Sequence, residues 1–518
     1  MKGGSLGTKE MMRANVFARW KAVIAIVLLT VVTRLPSVLH PRAIDDEAIY
    51  AVVANEIVEG GKPYVDAVER KPPLLFWTYA GVFEVAGEYN WRALHVVALL
   101  WTLATMGGLY VIGRELFDRP TGLTAALLAS VFGSFATWKN LAFNGEIMMN
   151  LPLVWAWAIG LGRSHSRFRP ELLAAGALLG TAFLLKQPGA IAAVPLAIYL
   201  LLPSYRRSRG RAKGESVAQA AILTAGFLGA LASVATILAY QGILREASYW
   251  TVADHTVPHV FWEKGIMQSL SFAAICLPLL IGTALALRGE GDLWADKTAE
   301  RIALFGLLGA SMIGAAAGAR FYPHYYIQLL PPLVLLAAPA YAAVWRQKVQ
   351  PRWWMPGPLI MQTWLALTVV AFFVLHWQGL AARRQPTVAG RYLAKNSAPN
   401  DRIFVWGQFP EIYLDAGRRP ASRYIATFPL TGYVFGGRVP GLNTHDRIRL
   451  GVWDKLAVDF ALHPPEYVID TEAGPEALYP IRNFPRLAGL LERGYQATAW
   501  TPEGVIFHKR SGDLAVPK

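Results

Sequence analysis

The chain has little cysteine and little charge for its length. Only one of its 518 residues is cysteine and 16% are charged, whereas soluble domains usually carry about 25% charged residues. The single thiol, Cys276, excludes both an internal disulfide and a metal site built from cysteines. The low charge, together with 54% hydrophobic residues, excludes an ordinary soluble enzyme.

Motifs for nucleotide chemistry are also missing. The sequence contains no Walker motif, no dinucleotide-binding fingerprint and no internal repeat, each of which has a recognisable residue spacing. The sequence therefore supports neither nucleotide hydrolysis nor a nucleotide cofactor.

Long apolar runs are abundant, and many reach about 20 residues, the length of a helix that crosses the hydrocarbon core of a bilayer. The first run is followed by Thr33-Arg34-Leu35-Pro36 and not by the small residues of a cleavage site, so we interpret it as an uncleaved span. We predict a polytopic α-helical membrane protein with about eleven transmembrane helices. The candidate spans lie near residues 20–38, 91–113, 121–138, 147–163, 171–186, 188–203, 217–240, 266–287, 301–319, 325–345 and 358–378.

The distribution of basic residues predicts the orientation. The formal net charge is +15, and most Lys and Arg fall in alternate loops, as in the run at 206–213. The positive-inside rule places such loops in the cytoplasm. The N-terminus is then cytoplasmic and the C-terminal region lies on the other side, and the basic total is explained without a nucleic-acid partner.

The outer loop at 39–90 interrupts the pattern of short loops. From Asp45 to Glu59 its apolar residues recur at helical spacing, opposite Asn55, Glu56 and Glu59. This pattern predicts an amphipathic helix lying at the membrane interface. A second short helix is expected after Lys71-Pro72-Pro73, because proline suits the first turn of a helix.

The C-terminal tail differs from the rest of the chain in composition. Its pattern predicts strands at 402–406 and 467–470, a helix near 446–462 and a hairpin around 502–504. We therefore expect a transmembrane domain at 1–380, which includes interfacial helices in the loop at 39–90, and a soluble periplasmic α/β domain at 381–518.

Side chains suited to acid–base and phosphate chemistry are concentrated in the predicted outer loops. The first loop has three consecutive acids at 45–47, the second contains Glu146, and Lys186 stands between two apolar runs. Ionisable groups near membrane depth are costly and tend to mark function. The candidate site residues are Asp45, Asp46, Glu47, Tyr50, Lys71, Glu146, Lys186, Arg320, His324 and Tyr325.

Several candidates also have a structural interpretation. An acid at 45–47 can cap the following helix or complement its dipole, and Glu146 can do so for its own helix. Lys71 can extend its ammonium group to the headgroup level, and Tyr325 fits an aromatic belt.

The functional interpretation joins these residues in one outward-facing site. A carboxylate would act as a base toward an acceptor hydroxyl, and the lysines and Arg320 would bind a lipid phosphate near the headgroup level. A divalent metal on Asp46, Glu146 and His324 is a further interpretation. No other cofactor is indicated.

Three motifs in the first loop resemble those of a known family. They are Asp46-Glu47-Ala48-Ile49-Tyr50, Gly61-Lys62-Pro63-Tyr64 and Lys71-Pro72-Pro73-Leu74. In this order they resemble the first periplasmic loop of family 39-like glycosyltransferases with the GT-C fold, which include protein O-mannosyltransferases and bacterial aminoarabinose–lipid A transferases. The likeness continues through residues 184–188 and His324-Tyr325 to the prolines at 331–332.

The resemblance implies an enzyme of the bacterial inner membrane that transfers a sugar from a polyprenyl-phosphate donor, with inversion, to a hydroxyl on a glycan, lipid or protein. It places the first-loop catalytic aspartate on Asp46. The second-loop acid falls on Glu146, where relatives often have aspartate. Lys71 and Lys186 match basic positions near the donor phosphate, and Arg320 and His324 match more loosely.

Two other classes of function compete with this interpretation. A transporter or flippase for lipids or sugars would use intramembrane charges as a path, but the predicted spans contain few charges and show no inverted repeat. A lipid-sugar binding protein without catalytic activity would use the same pocket without a base.

Overall fold

The computed structural model describes residues 5–41, 46–134, 139–162, 166, 168–254, 259–288, 294, 296–345, 367, 370, 385–435, 444–474 and 477–510. The chain folds into two compact units. The helical unit comprises Met1–Pro41, His95–Val234 and Trp262–Ala382, and the loop–sheet unit comprises Arg42–Leu94, Ala235–Phe261 and Arg383–Lys518. The predicted division at residue 380 stays a prediction.

Helices account for most of the chain as far as residue 345. Numbered in chain order they are α1 Ser5–Leu39, α2 Asp46–Val58, α3 Pro73–Ala86, α4 Trp91–Leu116, α5 Arg119–Phe132, α6 Gly145–Leu161, α7 Glu171–Leu185, α8 Gly189–Leu201, α9 Pro203–Arg209, α10 Lys213–Tyr240, α11 Leu244–Ser248, α12 Trp262–Ile275, α13 Leu277–Arg288, α14 Thr298–Ala316 and α15 Leu330–Trp345. A π-helical turn at Tyr249–Ala253 follows α11, and a 3-10 segment at Pro323–Leu329 precedes α15.

Within the described residues, five helical segments are long and apolar enough to cross a membrane, or seven if each of two bent pairs forms one span. The five are Trp20–Leu39, Trp91–Leu116, Lys213–Tyr240, Thr298–Ala316 and Pro323–Ala343. The shorter α6 and α7 coincide with predicted spans. The predicted span at 358–378 lies outside the described residues apart from two isolated positions, so the count of eleven stays a prediction.

Two sharp helix bends lie within or at the end of predicted spans. The segment at 266–287 bends by 70° between α12 and α13, and the segment at 188–203 bends into α9 by 57°. Proline explains both breaks: Pro278 and Pro203 stand in the first turn of the second helix, where the ring cannot donate to the preceding turn. The first break falls inside the predicted span at 266–287, whereas the second falls at the end of the predicted span at 188–203, which α8 otherwise fills. Both spans stay predictions.

Close backbone approach characterises the crossing of α7 and α10 in the helical unit. A Cβ atom on Gly176 would lie 1.9 Å from the carbonyl oxygen of Leu223, and one on Gly226 would lie 2.0 Å from that of Leu173. Only glycine fits at either position. Small residues at such crossings are typical of membrane helices, since close packing replaces the hydrophobic effect there.

The first-loop helices α2 and α3 pack on each other within the loop–sheet unit. Tyr50 of α2 contacts the rings of Phe76 and Tyr79 of α3, at centroid distances of 6.1 and 5.9 Å. The predicted amphipathic character of α2 is wrong, because Asn55 and Glu56 of the expected polar face are 2% and 4% exposed. Whether α2 and α3 lie at a membrane interface stays a prediction.

The C-terminal part contains a five-stranded sheet. Its helices are α16 Val388–Asn396, α17 Glu411–Ala416, α18 Phe428–Thr431, α19 Val452–Leu462 and α20 Pro485–Gly494, and its strands are β1 Arg402–Trp406, β2 Arg419–Pro420, β3 Tyr467–Asp470, β4 Tyr495–Thr501 and β5 Gly504–Lys509. The strand order is β2-β1-β3-β5-β4.

The central strands of this sheet are parallel and the last two are antiparallel. Strand β1 pairs in parallel with β2 and β3, while β5 runs antiparallel to both β3 and β4. All four residues of β3 are buried, as expected for a strand covered on both faces. The strands predicted at 402–406 and 467–470 and the hairpin around 502–504 are confirmed.

Candidate active site

Glu146 lies in the first turn of α6 in the helical unit. Asn144 caps this helix, because its side-chain oxygen accepts the backbone N–H of Ile147 at 3.0 Å. The Glu146 side chain is 1% exposed, so an uncompensated charge there would be costly. The capping interpretation therefore belongs to Asn144, and Glu146 is a buried carboxylate in need of a partner.

Lys186 supplies that partner. It directly follows α7 in extended conformation, and its ammonium forms an ion pair with Oε1 of Glu146. The Lys186 Nζ also lies 4.9 Å from the ring centroid of Tyr325, within cation–π range. Lys186 is thus held between a carboxylate and an aromatic face.

His324 approaches the same carboxylate from the 3-10 segment before α15. Its Nε2 lies 3.9 Å from Oε1 of Glu146, and its ring contacts Tyr322 and Tyr325 at centroid distances of 5.6 and 4.8 Å. The second carboxylate oxygen of Glu146, Oε2, is buried and accepts no hydrogen bond within the described part of the chain. This oxygen can accept a hydrogen bond from a hydroxyl group of a bound molecule.

Arg34 of α1 is a buried residue outside the set of candidates predicted from the sequence. Both of its terminal nitrogens donate to the backbone carbonyl of Asn140, at 2.8 and 2.7 Å, and its Nε donates to Thr102 at 3.2 Å. The segment beginning at Lys139 leads directly into α6, so Arg34 helps to fix the approach to Glu146. Because the acceptor is a backbone carbonyl, no residue type in the sequence marks this contact.

The first-loop acids belong to the loop–sheet unit. Asp46 is the first residue of α2 and is partly exposed, whereas Glu47 and Tyr50 are buried. Burial, and then the charges of Glu47 and Asp46, raise the pKa of Tyr79 on α3. The Tyr79 hydroxyl therefore stays protonated next to these two carboxylates. Asp45 lies outside the described residues.

The backbone of Lys71 is held by a hydrogen bond and by the start of α3. Its carbonyl oxygen accepts the hydroxyl of Tyr64 at 2.8 Å, and Pro72 follows as the N-cap of α3. The preceding Arg70 lies over the rings of Phe428 and Phe435, 4.8 and 4.0 Å from their centroids. These contacts hold the Lys-Pro-Pro segment within the loop–sheet unit.

The structure thus groups the predicted site residues into two sets. Glu146, Lys186, His324 and Tyr325 meet in the helical unit, and Arg320 lies partly exposed in the connection between α14 and the 3-10 segment. Asp46, Glu47, Tyr50 and Lys71 belong to the loop–sheet unit. That the two sets form one site stays a prediction.

The surroundings of Glu146 fit a divalent metal poorly. Its neighbours are an ammonium group and an imidazole, and the ammonium would repel a second cation at the same carboxylate. Among the described residues, no group of three or more His, Cys, Asp or Glu side chains is placed to hold a metal ion.

Comparisons with known proteins identify the fold. Residues 70–250 match the family model of dolichyl-phosphate-mannose-protein mannosyltransferase. The fold matches ArnT from Cupriavidus metallidurans bound to undecaprenyl phosphate with a TM-score of 0.56, 14% identity and coverage of 96% of this chain and 99% of that one. The chain has the GT-C fold. The likeness to GT-C glycosyltransferases that the first-loop motifs predict is confirmed.

A second GT-C structure shows the same likeness. The oligosaccharyltransferase of Archaeoglobus fulgidus, tethered with an acceptor peptide, matches with a TM-score of 0.54 and 12% identity, over 97% of this chain and 75% of that one. No curated protein sequence matches the chain closely enough to count as a relative. The two structural comparisons therefore establish the fold.

Proposed function

We propose that the protein is a membrane glycosyltransferase that moves a sugar from a polyprenyl-phosphate donor to a hydroxyl acceptor, with inversion at the anomeric carbon. The observation that carries this proposal is the buried Glu146–Lys186–His324 cluster on a GT-C fold. Buried ionisable groups at membrane depth are costly and tend to be functional.

The class of donor follows from the relatives. The matched family is described by a dolichyl-phosphate sugar, and ArnT was solved with undecaprenyl phosphate. Both molecules contain a polyisoprenyl phosphate. For this chain we infer a donor in which the sugar is joined to such a phosphate through its anomeric carbon.

The reaction needs a base and a set of cations. The acceptor oxygen attacks the anomeric carbon while its proton passes to Asp46, which is partly exposed at the start of α2. The bond between that carbon and the phosphate oxygen breaks, and the electron pair stays on the phosphate. Lys71, Lys186 and Arg320 would stabilise this developing charge, and attack opposite the leaving group inverts the anomeric centre.

Glu146 has a binding role in this scheme. Lys186 fixes the carboxylate through Oε1 and leaves Oε2 without a protein partner in the described residues. We infer that Oε2 accepts a hydrogen bond from a hydroxyl of the transferred sugar and orients the sugar for attack. We infer that Asp45, Glu47, Tyr50, His324 and Tyr325 take part in binding the substrates.

The predicted location follows from the apolar helices and the distribution of basic residues. We propose a multi-pass protein of the bacterial inner membrane with its N-terminus in the cytoplasm. The active site and the C-terminal α/β domain would then face the periplasm, and the polyprenyl chain would hold the donor among the membrane lipids.

Transfer from a synthetic polyprenyl-phosphate sugar by the purified protein in liposomes tests the proposal. Asp46→Asn keeps the shape of the side chain but cannot take up the proton, so we expect turnover to fall by about 100-fold or more. The matched control is Asp66→Asn in the same loop, where the amide oxygen can still accept the N–H of Lys62; it should retain wild-type turnover.

Binding and turnover separate the competing functions. Donor binding to the wild type without any transferred sugar, over a panel of glycan, lipid and peptide acceptors, would contradict the enzyme and favour a binding protein. Movement of the donor across the liposome membrane without chemical change would favour a flippase. Full turnover by Asp46→Asn would refute Asp46 as the base.

A further inference from the structure

A buried ion pair connects the first loop with the C-terminal sheet inside the loop–sheet unit. Glu56, near the end of α2, is 4% exposed. Arg419 of β2 binds it with two parallel hydrogen bonds, from Nε to Oε1 at 2.9 Å and from Nη2 to Oε2 at 2.7 Å. Such bidentate pairs fix orientation as well as distance.

Other acids and bases surround this pair. The remaining terminal nitrogen of Arg419 donates to Glu59 at 3.0 Å, and Nη1 of Arg402 on β1 lies 4.0 Å from Glu56 Oε2. Burial, and then a hydrogen bond with Glu59, raise the pKa of Glu88. Arg419 therefore joins both acids at the end of α2 to the sheet.

Contacts along the first loop strengthen the same connection. Helix α17 of the C-terminal part packs on α2, and the N–H of Val68 donates to the carbonyl of Arg423 at 2.8 Å. Arg70 lies over Phe428 and Phe435. The first loop is therefore part of one folded body with the C-terminal sheet.

We propose that Arg419 is a positioning residue for Asp46, and that the C-terminal domain serves as the scaffold that holds the catalytic loop in place. This inference rests on the proposed function. Asp46 and Glu56 lie at opposite ends of α2, ten residues apart, which corresponds to about 15 Å of continuous helix. Fixing the direction of α2 at Glu56 thus fixes the position of the Asp46 carboxylate.

The Glu56–Arg419 pair contributes more to the direction of α2 than to its stability. The buried apolar residues of α2, such as Val52 and Val53, already hold the helix in the fold, and a buried ion pair often adds little net stability. The bidentate pair adds direction, which matters because misplacing a catalytic group by about 1 Å can lower the rate about 100-fold.

The test compares Arg419→Gln with Arg423→Gln. Arg423 forms a similar ion pair with Asp459 of α19, at 2.7 Å, so its loss disturbs the same domain without breaking the bond to Glu56. For Arg419→Gln we expect kcat per folded molecule to fall about 10- to 100-fold with donor KM nearly unchanged, and hydrogen–deuterium exchange in 46–58 to rise. Arg423→Gln should keep kcat and the slow exchange of 46–58.

Chemical rescue makes the test independent of folding losses. The Arg419 side chain is 32% exposed, so guanidinium ion added to Arg419→Ala can reach the vacated site and should restore part of kcat. Arg419→Lys, which keeps one charge–charge contact, should be intermediate.

Three outcomes would overturn the inference: unchanged exchange of 46–58 in Arg419→Gln, full kcat in that variant, or an equal loss of kcat in Arg423→Gln. A wild type that transfers no sugar would instead contradict the proposed function, and the exchange measurement would still show whether Arg419 holds α2.

Discussion

Glu146 and Lys186 carry opposite charges where almost no water reaches them. The two side chains are 1% and 7% exposed. Taking each ion out of water costs several kcal/mol, and their mutual attraction offsets that cost only while both are present. The burial of each charge therefore depends on the presence of the other.

We predict that Lys186→Met destabilises the protein by about 3 kcal/mol or more, because it leaves the Glu146 carboxylate buried without a counter-charge. Adding Glu146→Gln to this variant should recover most of that loss. Thermal unfolding of the detergent-solubilised protein measures both effects. A single variant as stable as the wild type, or a double variant no better than the single one, would show that the pair is not energetically coupled.

The sequence predicts that both members of this pair belong to one site, but it does not predict that they form an ion pair. Lys186 is conspicuous because it stands between apolar runs, and Glu146 because it opens a helix. Forty residues separate them, and no local rule connects positions at that distance. Arg34 is not predicted as a site residue at all, since its acceptor is the backbone carbonyl of Asn140.

Two glycines allow α7 and α10 of the helical unit to approach each other closely. The Cβ distances at Gly176 and Gly226 show that the backbones of α7 and α10 meet there with no room for a methyl group. Gly229 lies on the same helix one turn further along, and a Cβ there would meet nothing within 4 Å. Alanine substitutions at Gly226 and Gly229 therefore distinguish the cost of disturbing close packing from the gain in helix propensity.

We predict that Gly226→Ala lowers stability by about 1–3 kcal/mol because the crossing must open. Gly229→Ala should leave stability unchanged or raise it slightly, since alanine favours the helix. The thermal midpoints of both variants, measured in the same detergent, decide the matter. Equal midpoints for the two variants would mean that the close crossing contributes nothing.

How well the sequence predicts the character of a helix depends on whether the residues that contact it lie nearby in the chain. Apolar length predicts most helices, and prolines mark the breaks at 202–203 and 276–277. The error at α2 has a different origin: Asn55 and Glu56 are polar, yet Glu56 is buried because Arg419 binds it from a strand more than 350 residues later. Local periodicity carries no information about such a partner.

The two compact units divide the predicted chemistry of the whole molecule. The cations and the acid of the helical unit come from connections between apolar helices, whereas Asp46 and Lys71 come from a loop that folds with the C-terminal sheet. Composition predicts both regions, but not that residues 42–94 and 383–518 share one unit. That association depends on buried contacts between distant segments.

Orientation is the property of the whole molecule that the basic residues predict. Ser208 lies in the Arg-rich connection before α10 and is exposed, whereas Leu450, in the C-terminal part, is 98% exposed. The positive-inside rule assigns the first to the cytoplasm and the second to the periplasm. Cysteine labelling can report the two sides separately because the single native thiol, Cys276, is fully buried.

We predict that a membrane-impermeant maleimide labels Leu450→Cys in intact spheroplasts and labels Ser208→Cys only after lysis. The wild type should stay unlabelled in both conditions, since reagent does not reach Cys276. Labelling of both variants before lysis would place them on the same side and exclude an odd number of spans between residues 208 and 450. The reversed pattern would put the C-terminal sheet in the cytoplasm, and a donor site facing the periplasm could then not include Asp46.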